Sequence, residues 1–275
     1  MTRSGLPPTY AATAVDEHGR TVDGRIAGEF PLTVYVDRRE IVTLMTLGTQ
    51  PEALTLGYLR NQGLVEAIEQ IEAVQVDWDV ESVAVTTRTG TEGWDEKLAH
   101  RTVTTGCGQG TVFGRIMDDL DQLRLPRPAL RQSTLYALLK NLAAYNEVYR
   151  DAGAVHGCAL CRNAEILTFI EDVGRHNAVD TIAGLMWLDG ETGEDKLFYT
   201  TGRLTSEMVI KAAQMGIPVL LSRSGLTRMG LEIARKMGMT LIARAKGRHF
   251  LIYNGADTVE FDEPPALAPA PVVAK

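Results

Sequence analysis

From residue 165 onward the chain alternates short apolar runs with helical ones, and that alternation narrows its possible folds more than any other feature. "EILTFI" (165–170), "KLFYT" (196–200), "IPVLLS" (217–222) and "TLIAR" (240–244) read as strands. Between them "NAVDTIAGLMWL" (177–188), "TSEMVIKAAQM" (205–215) and "TRMGLEIARKMG" (227–238) read as helices. Such alternation builds a mostly parallel sheet with helices laid over it. One further helix precedes the pattern: "STLYALLKNLAAYNEVYR" (133–150) places Leu135, Leu138, Leu139 and Leu142 on one face.

The first half follows another rhythm. "PLTVYVD" (31–37) alternates like a strand, and "TQPEALTLGYLRNQG" (49–63) is a helix with Thr49 as N-cap, Pro51 near N1 and Gly63 past its end. "IEAVQVDWDV", "ESVAVTTR" and "KLAHRTVTT" carry β-branched alternation between turn residues, as antiparallel strands do. This predicts a loose polar tail over 1–28, an α+β domain over 29–125 and an α/β domain over 130–262, joined through "RLPRPAL". The Pro/Ala-rich end, 263–275, is expected to be disordered.

Two modest cores suit a chain of 275 residues, and a net charge of −7 argues against non-specific nucleic-acid binding while leaving room for a local basic pocket. No apolar run is long enough to span a bilayer and no export signal is recognisable, so no membrane partner is expected. Three cysteines suit a reducing compartment better than a disulfide framework, which makes the cytoplasm the expected location.

In open α/β sheets ligands sit beyond the carboxyl ends of the strands, and here those ends carry cations. "TGRLTSE" supplies Gly202 and Arg203, "RSGLTR" supplies Arg223, and "RAKGRH" supplies Arg244, Ala245, Lys246, Gly247, Arg248 and His249. "EDVGRHNAVD" adds Arg175 and His176. Arginine forks and helix-start N–H groups together suit phosphate. The same polar stretch has a plainer reading, with Asn177 capping the helix and Asp180 on its exposed first turn.

A lone thiol, Cys107, sits in "TTGCGQGT" beside Gly106, Gly108 and Gly110. The glycines let a bulky partner approach, and a helix capped by Thr111 over 112–120 would favour the thiolate. Burial as a small hydrophobe is the alternative. "VHGCALCRN" sets His156, Cys158 and Cys161 at a spacing open to zinc or redox chemistry, although its apolar character favours burial.

Taken together, these motifs resemble the formate dehydrogenase accessory sulfurtransferases, the FdhD family, from about Phe30 to Tyr253. "EDVGRHNAVD" with "TTGRLTSEMVIKAAQMGIPVLLSRSG" is the most specific match. The resemblance implies a cytidine-deaminase-like mixed sheet with flanking helices and no deaminase activity, joined to a smaller α+β domain. It implies a sulfurtransferase that carries persulfide sulfur from a cysteine desulfurase to the molybdenum or tungsten bis-pterin guanine dinucleotide cofactor of formate dehydrogenase. Cys107 would bear the persulfide, and the segment Arg244 to His249 would bind the cofactor. Gly202, Arg203 and Arg223 would hold its phosphates or guanine, with His156, Arg175 and His176 near the point of transfer. GDP or GMP would mimic the cargo, and no tightly bound metal of the protein's own is implied. The expected partners are the desulfurase, the formate dehydrogenase catalytic subunit and a second copy in a homodimer.

This chain departs from the family pattern at Gly110, where many members carry a second loop cysteine, and "GAVHGCA" replaces the usual "GGxHxA". Cys158 or Cys161 would be the substitute thiol in a two-cysteine relay. A cofactor-binding chaperone remains an alternative, as does a zinc deaminase-like hydrolase using His156, Cys158 and Cys161; the latter lacks a glutamate two residues after its histidine.

Overall fold

At the amino end the chain pairs where its composition predicts a loose tail. Thr9–Val15 (β1) and Thr21–Ala27 (β2) run antiparallel, because the Asp16 carboxylate accepts from the His18 and Arg20 N–H groups and Gly19 takes a φ of +75°. Ahead of them, the Thr2 N–H donates to the Val74 carbonyl and the Leu6 N–H to that of Gly48. The computed structural model describes residues 1–94, 101–103, 110–112 and 123–265. Cys107, residues 113–120 of the expected helix and the tail from 266 lie outside the described residues.

Phe30–Val36 (β3), Arg39–Thr46 (β4), Ile71–Asp77 (β5) and Ser82–Thr87 (β6) form a sheet in the order β4-β3-β6-β5, with β3 and β6 parallel. Strand β4 goes unread in the sequence because Asp37 and Arg38, at φ 46° and 71°, make a two-residue hairpin turn without its usual Asn-Gly signature. Helix Pro51–Asn61 (α1) covers this sheet, with Pro51 at its start as expected and Gln50, not Thr49, at the N-cap. Leu32, Val34, Leu54, Tyr58 and Val83 fill the core between them. Arg101–Val103 (β7) and Gly110–Val112 (β8) pair antiparallel. Thr111 therefore lies opposite Thr102 in a strand instead of capping a helix, as its β-branched neighbour Val112 favours.

Leu130–Arg131 (β9) leads into Gln132–Leu142 (α2) and Glu147–Ala152 (α3). The sequence suggests one helix here; Asn146 breaks it by taking a φ of 22° and donating from Nδ2 to the Leu142 carbonyl. His156–Arg162 (β10), Glu165–Asp172 (β11), Leu197–Thr200 (β12), Val219–Ser222 (β13), Thr240–Lys246 (β14) and His249–Asn254 (β15) make one mixed sheet. Its order is β11-β10-β12-β13-β14-β15, and only the β12–β13 and β13–β14 pairings are parallel, so the mostly parallel expectation gives way to a mixed one. β11 matches the expected strand over 165–170, whereas β10 and β15 stand outside the strand–helix alternation because hairpins, not helices, join them to β11 and β14.

Arg175–Asp189 (α4), Ser206–Gln214 (α5) and Arg228–Met237 (α6) cover one face of this sheet and α2 covers the other. Val259–Glu260 (β16) pairs with β9. Asp262 then accepts from the Ser133 N–H and hydroxyl, fastening the segment after β16 to the first turn of α2.

Candidate functional site

The topology carries several chain reversals to one end of the mixed sheet. Parallel β12, β13 and β14 all finish there, and β10, antiparallel to β12, begins there with His156. His156, Thr201, Arg223 and Ser224 line a recess of about 350 Å³, closed from the α3 side by Asn146 and Tyr149. A second recess of about 320 Å³ shares Asn146, Tyr149 and Arg223 with it and adds Leu139, Leu142, Ala143, Arg150, Tyr199, Ala245, Lys246 and Gly247. The two make one trough. Among the residues expected from sequence, His156, Arg223, Ala245, Lys246 and Gly247 line it. Asn146, Tyr149, Thr201, Ser224 and Tyr199 were not anticipated.

The other expected residues are distributed around the trough. Arg203 is exposed on the turn after β12. Gly202 beside it gives Arg175 room: a Cβ there would approach Arg175 Cδ to 2.8 Å. "RAKGRH" is a hairpin rather than an open loop, with Gly247 turning at φ +60° between β14 and β15. Arg244, at φ 52°, donates its N–H to the Ser224 carbonyl and so ties β14 to the loop after β13. Arg248 is already engaged, pairing with Glu263 at 2.7 Å and lying 4.6 Å over the Tyr136 ring. His249 opens β15 on the surface.

Electrostatics favour an anion in the trough. Burial, then the charges of Arg175 and Arg203, hold the half-buried His156 below the usual imidazole range. Deeper in, burial with the Lys211 and Arg175 charges takes His176 down to about 2, so its ring is neutral. His176 is buried at the start of α4 with Nε2 3.4 Å from Glu207 Oε2, and it lines neither recess. A larger cleft of about 630 Å³ lies between Leu47, Thr49 and Gln50 on one side and Phe169 on the other; among the described residues its charged lining is Glu147 and Glu171, which does not suit phosphate.

The "EDVGRHNAVD" stretch acts mainly as a joint between the two sheets. Buried Asp172 accepts from the Thr46 hydroxyl at 2.6 Å, the Leu47 N–H at 3.0 Å, the Gly174 N–H at 3.0 Å and Asn177 Nδ2 at 2.8 Å. Asn177 Nδ2 also reaches the Met45 carbonyl at 2.6 Å, so Asn177 is no N-cap; Gly174 holds that position. Asp180 is not on an exposed turn but fully buried, 2.7 Å from Lys211 Nζ and 2.7 Å from Asn61 Nδ2. Helix α1 packs so closely on α4 that both Gly57 and Gly184 are required, since a Cβ on either would overlap the other helix's backbone. Sequence periodicity cannot reveal such burial, because the covering helix comes from over a hundred residues away.

Cys158 and Cys161 are fully buried, and alternation along β10 sends them to opposite faces: Cys158 into the core under α4 and α5, Cys161 into the core under α2. They do not converge with His156 on one ion. Burial pushes both thiols up to about 12, so neither is a ready nucleophile. The Cys158 thiol donates to Thr200 Oγ1 at 3.2 Å.

Known proteins resemble this chain over most of its length. A family model described as FdhD/NarQ matches residues 27–260. The sulfur carrier protein FdhD of Bacillus subtilis (strain 168) is 30% identical over 244 residues, covering 86% of this chain and 91% of its own. The protein of that name from Listeria monocytogenes serotype 4b (strain F2365) is 28% identical over 241 residues, covering 86% and 92%. Among solved structures, one described as a formate dehydrogenase accessory protein from Desulfotalea psychrophila superposes with a TM-score of 0.72. It is 25% identical and covers 92% of this chain and 98% of its own.

Proposed function

The chain belongs to the FdhD/NarQ family, and on that premise we propose that it is a sulfur carrier in the maturation of formate dehydrogenase. The observation that carries the reading is the trough, where a protein of net charge −7 gathers Arg223, Lys246 and a neutral His156 at one sheet end. Its cargo is the bis-pterin guanine dinucleotide cofactor, whose phosphates would lie against Arg223, Thr201 and Ser224 and whose uptake GDP would mimic. A cytidine-deaminase-like description of the mixed sheet belongs to this same reading.

Cys107 is the sulfur bearer. Its thiolate attacks the outer sulfur of a desulfurase persulfide, forming a new S–S bond as the desulfurase thiolate leaves. The S–S bond would then break with Cys107 leaving as its thiolate, and the outer sulfur would become a sulfide ligand of the cargo's metal centre, the two electrons coming from the reduced metal. Two supports favour Cys107: its sequence neighbours Gly106, Gly108 and Gly110 are the residues that would let a bulky partner approach, and the remaining thiols, Cys158 and Cys161, are buried and held protonated. That burial also removes them as stand-ins for the second loop cysteine, so the transfer is a one-thiol step. A cofactor chaperone that carries no sulfur is the second reading, favoured by Gly110 alone.

Both readings need the trough, and only the first needs the thiol. Cys107→Ser is expected to bind GDP as the wild type does and to leave co-expressed formate dehydrogenase inactive. Full formate dehydrogenase activity with this variant would reject the carrier and leave the chaperone.

A further inference from the structure

We propose that the outer edge of β11 docks an extended segment of a partner protein, which adds as a further strand and carries an apolar and a basic side chain two residues apart. β11 is the first strand of the mixed sheet, so β10 occupies only one of its edges. Gly157 shows which backbone groups face the other edge. Its N–H donates to Thr201 Oγ1 at 3.0 Å and its carbonyl accepts from the Thr201 N–H at 2.9 Å, so both groups turn away from β11. Alternation then turns Cys158 toward β11, opposite Ile170. Phe169 and Glu171, opposite Ala159 and Gly157, are left with their N–H and carbonyl groups directed outward. Among the described residues no strand pairs with this edge and no other backbone group takes up those four. The run Ile166 to Ile170 has no proline or charged residue, the usual means of closing an exposed edge.

The cleft of about 630 Å³ lies against this edge, lined by Phe169, Ile170 and Glu171 in succession. Successive side chains of a strand point to opposite faces, and here Phe169 packs on the core under α2 while Ile170 enters the core under α4 and α5. A cleft that touches all three therefore meets the strand from its edge. Its wall on the side of Leu47, Thr49 and Gln50 is uncharged. On the Phe169 side it is aromatic and acidic. Tyr145, 40% exposed, has its ring centroid 5.2 Å from that of Phe169, and Glu147 is exposed on the first turn of α3. Glu171 accepts from the Val148 and Tyr149 N–H groups at 2.9 and 3.0 Å, which fixes α3 beside the edge, and its carboxylate keeps further acceptor capacity. An added strand would set one side chain beside Phe169 and another, two residues on, beside Glu171 and Glu147. Aromatic with β-branched and acidic with basic are the favourable cross-strand neighbours. The segment that fits thus carries valine or isoleucine at the first position and lysine or arginine at the second. Since Asp172 stands opposite His156, the docked segment would end beside the trough.

The test is amide hydrogen exchange by NMR on the full chain, with the peptide acetyl-TKTVTKT-amide as probe. In either strand direction it puts lysine, valine and lysine on one face and threonine on the other. In the free protein the Phe169 and Glu171 amides are expected to exchange faster than that of Ile170, which the β10 ladder holds. The peptide should bind with a Kd below about 1 mM and slow the exchange of both outward amides. Two N-methylated forms, one at the two central threonines and one at the valine and a lysine, should differ. One should bind at least about tenfold more weakly and the other like the parent, because an added strand turns alternate amides toward its neighbour. Glu147→Lys, a change at an exposed residue, should weaken the parent peptide about three- to tenfold. Phe169 and Glu171 amides as protected in the free protein as that of Ile170 would overturn the inference, since the chain or a second copy would already fill the edge. No binding at about 1 mM peptide, equal effects of the two methylated forms, or indifference to Glu147→Lys would each overturn it as well.

Discussion

Lys211→Met tests the joint that holds the two sheets together. Lys211 Nζ lies 2.7 Å from Asp180 Oδ2, and both side chains are only 1% exposed. At that separation the attraction is about 6 kcal/mol for an effective dielectric constant of about 20. Much of this offsets the desolvation of the two ions, so the pair's net contribution is far smaller. Removing one partner is another matter, because Asp180 is then buried with Asn61 Nδ2 as its remaining donor and Glu207 close by. A stranded buried charge costs about 3–5 kcal/mol. For a chain of this size that is a fall in Tm on the order of 10 °C. Urea unfolding should show the loss in midpoint with the slope unchanged.

The variant also carries a pH signature. Burial already pushes the Asp180 carboxyl up, and the Lys211 charge opposes it. Without that charge the folded-state value rises further above the unfolded one, so the folded variant prefers the protonated acid. Stability from such a group is greatest at low pH and is lost as pH rises through the folded value. The deficit relative to wild type should therefore shrink as pH falls from neutrality. Asp180→Asn/Lys211→Met, which removes both charges and keeps an acceptor for Asn61, should cost much less than the single change. A single variant within about 1 kcal/mol of wild type, or a double variant as unstable as the single, would refute the argument.

Two further outcomes follow from packing and burial. Helix propensity alone would make Gly57→Ala stabilising by about 1 kcal/mol, but the added methyl overlaps the Asp180 carbonyl across the α1–α4 contact. Overpacking should win, with a net loss of about 1–3 kcal/mol in thermal or urea unfolding; a stabilised variant would mean that the helices separate freely. In native Cys107→Ser, Cys158 and Cys161 should not react with an aromatic disulfide reagent at pH 8, since burial holds both near 12. Labelling should appear on unfolding, and rapid labelling of the folded protein would contradict their placement.

Much of the second sheet is legible in the chain, and the reason is local. Runs such as "LFYT" and "VLLS" are apolar on both faces and are followed by helix starts, so the strand ends, and the Arg223 that follows one of them, can be placed without a structure. What escapes notice depends on distant partners. Nothing in "HNAVD" announces that α1 will cover Asp180, and the Asp37-Arg38 turn conceals β4 because neither residue is a usual hairpin former. Tyr149 reads as one more helical residue until Asn146 breaks the helix and turns α3 toward the sheet end. The cations of the site are thus readable from their positions after strands, whereas its aromatic wall comes from a helix whose direction only the tertiary fold sets.

The most direct test of sulfur carriage is intact-mass spectrometry after incubating the protein with a cysteine desulfurase and cysteine, with wild type and Cys107→Ser side by side. The account predicts a mass increase of one sulfur atom in the wild type, removed by a thiol reductant and absent from the variant. An adduct that persists in Cys107→Ser, or a folded, GDP-binding wild type that takes up no sulfur, would contradict it.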